Sequence, residues 1–232
     1  MKVAYLMNTI DRFPLTMEVT DANTEKAGYP IHEVIINDNA STDQRIKDWA
    51  ASIADTLTLQ KENIGNPQSF NAMIAGSDAD VFVIAGNDIM LPYNWLKEAM
   101  ETMADPLVGI VGFDWRNTTT HSKYANLNLA PETYGTWVIS RDTYNKVGKL
   151  NEWSKYGKWD TSYSIRCQQK GLLNGYVADH YSTHVGEDVG EDSDYRRMKD
   201  EELAKATEAF NKWIESETVN TSRHLRRCGH ED

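Results

Sequence analysis

The first ninety residues alternate between two patterns that cannot belong to the same kind of element, and this alternation narrows the fold most. Short β-branched or apolar runs at Lys2–Asn8, Ile31–Asn37, Thr56–Gln60 and Val81–Ile84 have the length and composition of strands. Between them lie three segments with apolar residues at helical spacing. Pro14–Lys26 predicts the first helix, with Gly28 as its stop. Ile46, Trp49, Ala50 and Ile53 form the buried stripe of the second. Ser41 with Gln44 fits a capping box at its start, and Asp43 is a further cap. In the third, Asn66 can cap, Pro67 can take the first helical position, and Phe70, Met73 and Ile74 share a face before Gly76. Strands and helices in this order predict a parallel sheet with right-handed crossovers.

The fourth strand reads as buried on both faces and runs into Gly86, Asn87 and Asp88. In an open α/β sheet, ligands bind at the carboxyl edge of the strands, which makes Asp88 a candidate site residue. A turn aspartate bonded to its own backbone is the plainer alternative. Pro92 ends the stretch, and Asn94 can cap a helix carrying Trp95, Leu96, Ala99, Met100 and Met103. Further strands are predicted at Leu107–Phe113, at Thr133–Ser140 with Trp137, and in Tyr176–His184. Asp142 can cap a short helix that stops at Gly148, and Asp160–Lys170 reads as a helix closed by Gly171. Arg116–Asn128 is polar, threonine-rich and long for a structureless connection. Gly186–Arg197 reads as acidic and irregular. A last helix from Asp200 places Leu203, Ala206, Phe210, Trp213 and Ile214 on a packing stripe.

Composition matters here for what it excludes. A formal net charge of −11 argues against general electrostatic binding to nucleic acid or anionic lipid. Local contacts from Lys155, Lys158, Arg223, Arg226 and Arg227 keep a nucleic-acid acceptor as a minority option. Two cysteines, Cys167 and Cys228, make neither a disulfide framework nor a CxxC metal knuckle. No apolar run approaches the roughly 18 residues of a membrane span, and the first residues read as a strand rather than a signal peptide. A cytoplasmic protein without membrane insertion is expected. The first turn lacks G-x-G-x-x-G and the P-loop pattern, which speaks against those two nucleotide-binding modes.

Several stretches, in order, resemble the family 2 glycosyltransferases of the GT-A fold. Val34–Asp43 looks like that family's strand followed by D-N-x-S-x-D, and Glu62, Asn63 and Gly65 with Asn71 resemble its E-N-x-G…N element. Residues 81–92 resemble the strand leading into its D-x-D motif. Asp160 with Arg166 and Gly171 resembles the later acidic segment, and His184 falls where a metal-binding histidine often follows. The departures are Gly86 and Asn87 at the first two D-x-D positions, Trp159 for the glutamate before Asp160, and Ser162 for the aspartate after it.

The resemblance, spanning roughly residues 2–185, implies a GT-A, Rossmann-like three-layer sandwich with a mostly parallel central sheet and a C-terminal helix. It implies a domain over 1–187, with a nucleotide-sugar half to about residue 92 and an acceptor half beyond it. Residues 188–232 would be an acidic linker and a helix packed on the domain. The implied activity is inverting transfer of a sugar from a nucleotide-diphosphate donor, a UDP-sugar foremost, to an acceptor hydroxyl. Such a hydroxyl needs a positioned base, and Asp160 is the candidate, although capping its helix is a competing role. The leaving diphosphate calls for a hard cation, Mn²⁺ or Mg²⁺, with Asp88 and His184 as its protein ligands. Thr9, Asp38, Asn63, Asn71, Asn87 and Asp88 are expected at the donor, with bracing of their loop the competing role of Asn63 and Asn71. Trp137 and Trp159 are candidate walls for the acceptor, with core packing the competing role of each. The acceptor is a saccharide, a protein side chain or a modified nucleobase of DNA. A silent sugar-nucleotide or glycan-binding module on the same fold, and an unrelated nucleotide-binding α/β enzyme, are the competing readings.

Overall fold

The computed structural model describes residues 1–116, 122–186 and 193–227. Residues 117–121 of the threonine-rich stretch, 187–192 of the acidic stretch, Cys228, and the side chains of Arg223, Arg226 and Arg227 lie outside that description.

The expected alternation is found. The chain runs through β1 (Val3–Thr9), α1 (Leu15–Glu25), β2 (Glu33–Asp38), α2 (Gln44–Ile53), β3 (Thr56–Leu59), α3 (Asn66–Gly76) and β4 (Val81–Ala85). It continues with β5 (Ile89–Met90), α4 (Trp95–Thr102), β6 (Val108–Asp114), β7 (Lys123–Tyr124), β8 (Leu127–Leu129) and β9 (Trp137–Ser140). Last come α5 (Arg141–Val147), α6 (Trp159–Gln169), β10 (Leu173–Tyr181), β11 (Thr183–His184) and α7 (Ser193–Arg227).

Among the described residues the main sheet has the order β3-β2-β1-β4-β9-β6-β10-β8-β7. The strands β3, β2, β1, β4, β6, β10 and β7 run one way, and β9 and β8 run against them. Alternate residues of the central strands feed two cores. Tyr5, Met7, Val81 and Val83 pack with Trp95 and Met100 of α4, while Leu6, Phe82 and Ile84 pack with α3 and α6 through Ile74 and Tyr163. Period-two alternation with apolar residues on both faces produces these three layers.

Several expectations about element ends need correction. Asp43, not the Ser41–Gln44 box, caps α2 by accepting from Arg45 N at 2.9 Å. Ser41 is drawn instead to the buried Asp38 carboxylate. Gly65 stands at the cap of α3, leaving Asn66 inside the helix. Ser140 caps α5 in place of Asp142. Part of the stretch that is long for a structureless connection forms the hairpin β7–β8 on the edge of the sheet. Helix α7 begins at Ser193, inside the segment predicted as irregular.

Gly65 illustrates how tightly the site is built. Its φ is +88°, and a Cβ there would meet Lys155 Cα at 2.4 Å. Gly65→Ala is therefore expected to destabilise the protein by about 2–4 kcal/mol, from left-handed strain plus a backbone clash. A lowered urea midpoint would register it, and an unchanged midpoint would show that the 155–160 loop yields freely.

Candidate active site

The strand order places β1 between β2 and β4, so the crossovers leave β1 in opposite directions. Such a switch point opens a crevice at the carboxyl ends of the strands. A cavity of about 240 Å³ lies there, lined by Asn8 and Thr9 after β1, Ala85 to Asp88 after β4, and Asn66 and Phe70 of α3. Tyr156, Gly157, Trp159 and Asp160 complete the lining beside α3, and Arg12 and Lys199 add positive charge.

Asp88 and His184, ninety-six positions apart, are joined by a two-stranded ladder. Antiparallel β5 and β11 pair Ile89 with His184, and Val185 N donates to Asp88 O at 2.9 Å. This brings His184 Nε2 to 3.3 Å from Asp88 Oδ2, with the imidazole against Trp115. Arg12 Nη1 reaches the same oxygen at 2.9 Å, and its Nη2 donates to Gly186 O at 3.2 Å. Burial works to raise the Asp88 pKa, but the hydrogen bond and charge of His184, then Arg12 and Lys199, outweigh it and hold the carboxyl below its usual range. A Cβ on Gly186 would lie 2.6 Å from Asp88 Oδ2, so this approach requires glycine. At Gly86, the eroded first D-x-D position, a Cβ would meet Ile89 Cγ1 at 2.8 Å.

Arg12 is held at this carboxylate by an unusual loop. Asp11 and Arg12 both have positive φ, +48° and +61°. The Asp11 carboxylate secures the loop by accepting from Thr42 N at 2.8 Å and Asp43 N at 2.9 Å. Strained backbone of this kind persists only where its surroundings over-determine it.

The donor set can be tested against a divalent cation. Among the described residues no cluster of three or more His, Cys, Asp or Glu side chains is placed to hold a metal. Two adjacent ligands do fit, because the 3.3 Å between Asp88 Oδ2 and His184 Nε2 is close to the separation of neighbouring ligands on a small octahedral ion. With bonds of about 2.1 Å that separation is about 3 Å. The remaining ligands would have to be oxygens brought by a substrate or water.

Asp160 sits in the first turn of α6 and opens onto the cavity, where it accepts from Thr161 N at 2.8 Å. Loss of solvent raises its pKa to about 6; the backbone amides and Lys158 oppose this rise, and the Glu132 charge adds to it. The carboxylate therefore makes a helix-end hydrogen bond and also faces a ligand space.

The structure gathers Thr9, Asn87, Asp88, Trp159 and Asp160 around one cavity, with His184 on Asp88. The other sequence candidates lie elsewhere. Asp38 is 1% exposed, spends its carboxylate on Ser41 and is not among the cavity walls. Asn63 braces its own loop, donating to Tyr156 Oη at 2.9 Å and accepting from Gly65 N. Asn71 and Trp137 take the structural one of their two roles. Asn71 is buried and fully engaged by Leu150, Glu152 and Tyr144, so it cannot reach a donor. Trp137 is 0% exposed because Trp159 and Tyr163 of α6 cover its face of the sheet, and it stacks on Trp159 with centroids 5.5 Å apart. It supports a wall and cannot itself touch an acceptor.

Sequence reasoning missed Arg12, Asn66, Tyr156 and Lys199. Arg12 was within reach, since it follows a strand whose carboxyl edge was already marked for ligands. Lys199 carried no signal, because α7 was read only for its packing stripe. That helix does pack, with Ala206 buried and Phe210 and Trp213 against Trp153. Its Glu202 also accepts from Lys155 N at 2.9 Å, which ties it to the cavity wall.

No family model and no curated protein matches the chain. Solved structures do. The mannosyltransferase PcManGT from Pyrobaculum calidifontis, solved with GDP-Man and Mn²⁺, superposes with a TM-score of 0.72 at 22% identity over 92% of this chain and 64% of its own. GalNAc-T7, solved with UDP, GalNAc and Mn²⁺, gives 0.66 at 12% identity over 79% and 43%. TarS of S. aureus gives 0.59 at 16% identity over 79% and 37%. The chain has the GT-A fold of these glycosyltransferases. It spans between 37% and 64% of their lengths.

Proposed function

We propose that this chain is a glycosyltransferase that moves a sugar from a nucleotide-diphosphate donor, a UDP-sugar foremost, to an acceptor hydroxyl with inversion. One observation carries the reading. A single cavity at the switch point is lined both by a desolvated carboxylate, Asp160, with a pKa of about 6 and by Asp88 flanked by Arg12 and Lys199. The first is a base, and the cations Arg12 and Lys199 suit a diphosphate.

Asp160 takes the proton from the acceptor hydroxyl as that oxygen attacks the sugar carbon. A base on the acceptor side places attack opposite the departing nucleotide, so configuration inverts. Arg12 and Lys199 counter the charge that grows on the leaving diphosphate. Asp88 and His184 would hold a divalent cation, Mn²⁺ being favoured by the imidazole, and that cation would supply further charge neutralisation when bound. Trp159 offers an apolar face for the acceptor, supported from beneath by Trp137. The cavity, at about 240 Å³, falls below the roughly 300–1,000 Å³ of sites for drug-sized ligands. It therefore suits the transfer end of a donor, with the nucleoside along the open edge near Thr9.

A second reading, a binding module with little turnover, is favoured by the eroded D-x-D and by Arg12 already paired with Asp88. Thermal stabilisation across a panel of nucleoside diphosphates and their sugars, with and without Mn²⁺, tests the first. A ligand at 100 times its dissociation constant adds roughly 2.7 kcal/mol. Stabilisation by one nucleotide class is the expected outcome, and no response to any would defeat the glycosyltransferase reading.

A further inference from the structure

Four side-chain amides form a series that ends in the cavity lining: Gln60, Asn37, Asn8 and Asn66, the last two on the cavity. Its direction is determined by a serine. Ser69 Oγ lies 2.6 Å from Gly65 O, and that carbonyl can only accept, so the single hydroxyl proton is used there. Ser69 must then accept from Asn37, 3.0 Å away, which turns the Asn37 Nδ2 towards it. The same Nδ2 lies 2.8 Å from Asn8, which must answer with Oδ1. Asn8 Nδ2 in turn donates to Asn66 Oδ1 at 2.6 Å. At the other end, Gln60 Nε2 donates to Asn37 Oδ1 at 2.8 Å, consistent with the same sense.

Asn66 is thereby left with its Nδ2 group on the cavity side, and among the described residues that group has no protein partner. Its backbone N–H donates to Lys155 O at 2.9 Å, which anchors it beside the loop that carries Asp160. It shares a cavity with Asp160 and Trp159 but not with Asp38 at the β2 edge.

We infer that Asn66 determines sugar specificity, presenting an N–H donor of fixed polarity to an oxygen of the transferred sugar: an N-acyl carbonyl, or a hydroxyl acting as acceptor. The inference rests on the glycosyltransferase reading and extends it to the transferred group. An amide held this way cannot rotate to suit a ligand that offers a donor, so it selects rather than adapts. A sugar lacking that oxygen leaves the N–H without its partner in a partly desolvated site.

The test is a cycle between protein and ligand. Affinities of wild type and Asn66→Ala are measured by calorimetry for one sugar nucleotide, for its analogues deoxygenated at single positions, and for the matching nucleoside diphosphate. One deoxygenation is expected to cost the wild type about 5–20-fold and the variant less than about 2-fold. The nucleoside diphosphate should bind both proteins alike. A variant that loses nucleoside diphosphate as strongly as sugar nucleotide would overturn the assignment, as would equal sensitivity of both proteins to every deoxygenation. If Asn66→Ala proves unfolded by its melting curve, the wild-type series alone decides, and insensitivity to every deoxygenation refutes the proposal. Failure of the wild type to bind any nucleotide overturns the glycosyltransferase reading together with this one, which separates the two failures.

Discussion

Replacing Asp160 by asparagine is expected to lower the rate of transfer by about 10²–10⁴-fold, the usual contribution of a positioned base, while nucleotide affinity stays within a few-fold. The same change should make the protein more stable at neutral pH. The folded state raises this carboxyl from 3.8 to about 6, chiefly by removing it from water. Between those values the folded protein binds more protons than the unfolded chain, so wild-type stability falls as pH rises through that window. Above about pH 6 the whole cost is carried. Full burial would make it about 3 kcal/mol; the side chain opens on the cavity, so about 1–2 kcal/mol is expected. Asparagine keeps an oxygen for Thr161 N and carries no charge, so the melting temperature should rise by about 3–6 °C at pH 7.5. That gain should vanish near pH 4, where the wild-type group is protonated. For the wild type, kcat/KM should climb as pH rises through about 6. Near-normal transfer by Asp160→Asn would remove Asp160 from the mechanism, and a pH-independent stability difference would refute its desolvation.

How much of this was legible in the sequence depends on the range of the forces involved. The strand at Val81–Ala85 and its neighbours were readable because burial on both faces demands an unbroken apolar run, a purely local signature. Helix starts were read less well for the opposite reason. Ser41, Asn66 and Asp142 all have side chains suited to capping, but tertiary partners or a better-placed neighbour decided the outcome. Asp38 takes Ser41, Asn8 takes Asn66, and Ser140 precedes Asp142. The hairpin at residues 123–129 has strands of two and three residues, too short to show a period. Asp88, His184 and Asp160 are candidates from their places in the resemblance, and the structure brings Asp88 and Asp160 to one cavity with His184 beside Asp88. The misplaced residues are those whose role depends on which way a side chain faces. Asn71 shares α3 with Asn66 but points to Leu150 rather than the cavity, and Trp137, on β9 between β4 and β6, is covered by Trp159 and Tyr163 of α6. Neither orientation follows from spacing alone.

Asp88→Ala is expected to produce a crossing pattern in nucleotide binding. With Mn²⁺ present, affinity for a nucleoside diphosphate should fall by about 10–100-fold, because half of the two-ligand protein set is gone. Without metal, affinity should rise by a few-fold. The reason lies in the shared oxygen. Asp88 Oδ2 now holds Arg12 Nη1 at 2.9 Å and His184 Nε2 at 3.3 Å, so the carboxylate both occupies the guanidinium and repels an incoming phosphate. Among the described residues its removal leaves the Arg12 guanidinium hydrogen-bonded to Gly186 O alone and frees its charge for the diphosphate, with Lys199 on the same cavity. Arg12→Ala should do the reverse, weakening metal-free binding and strengthening the response to Mn²⁺, since a fixed cation no longer competes for that oxygen. Calorimetric titrations of the three proteins in EDTA and in Mn²⁺ separate the terms. If Asp88→Ala kept the full Mn²⁺ response, the cation would be held elsewhere and the last acid of the eroded motif would be only Arg12's partner. A lone carboxylate can serve either a guanidinium or a dication at full strength, and the sign of the metal-free change tells which of the two this protein is built around.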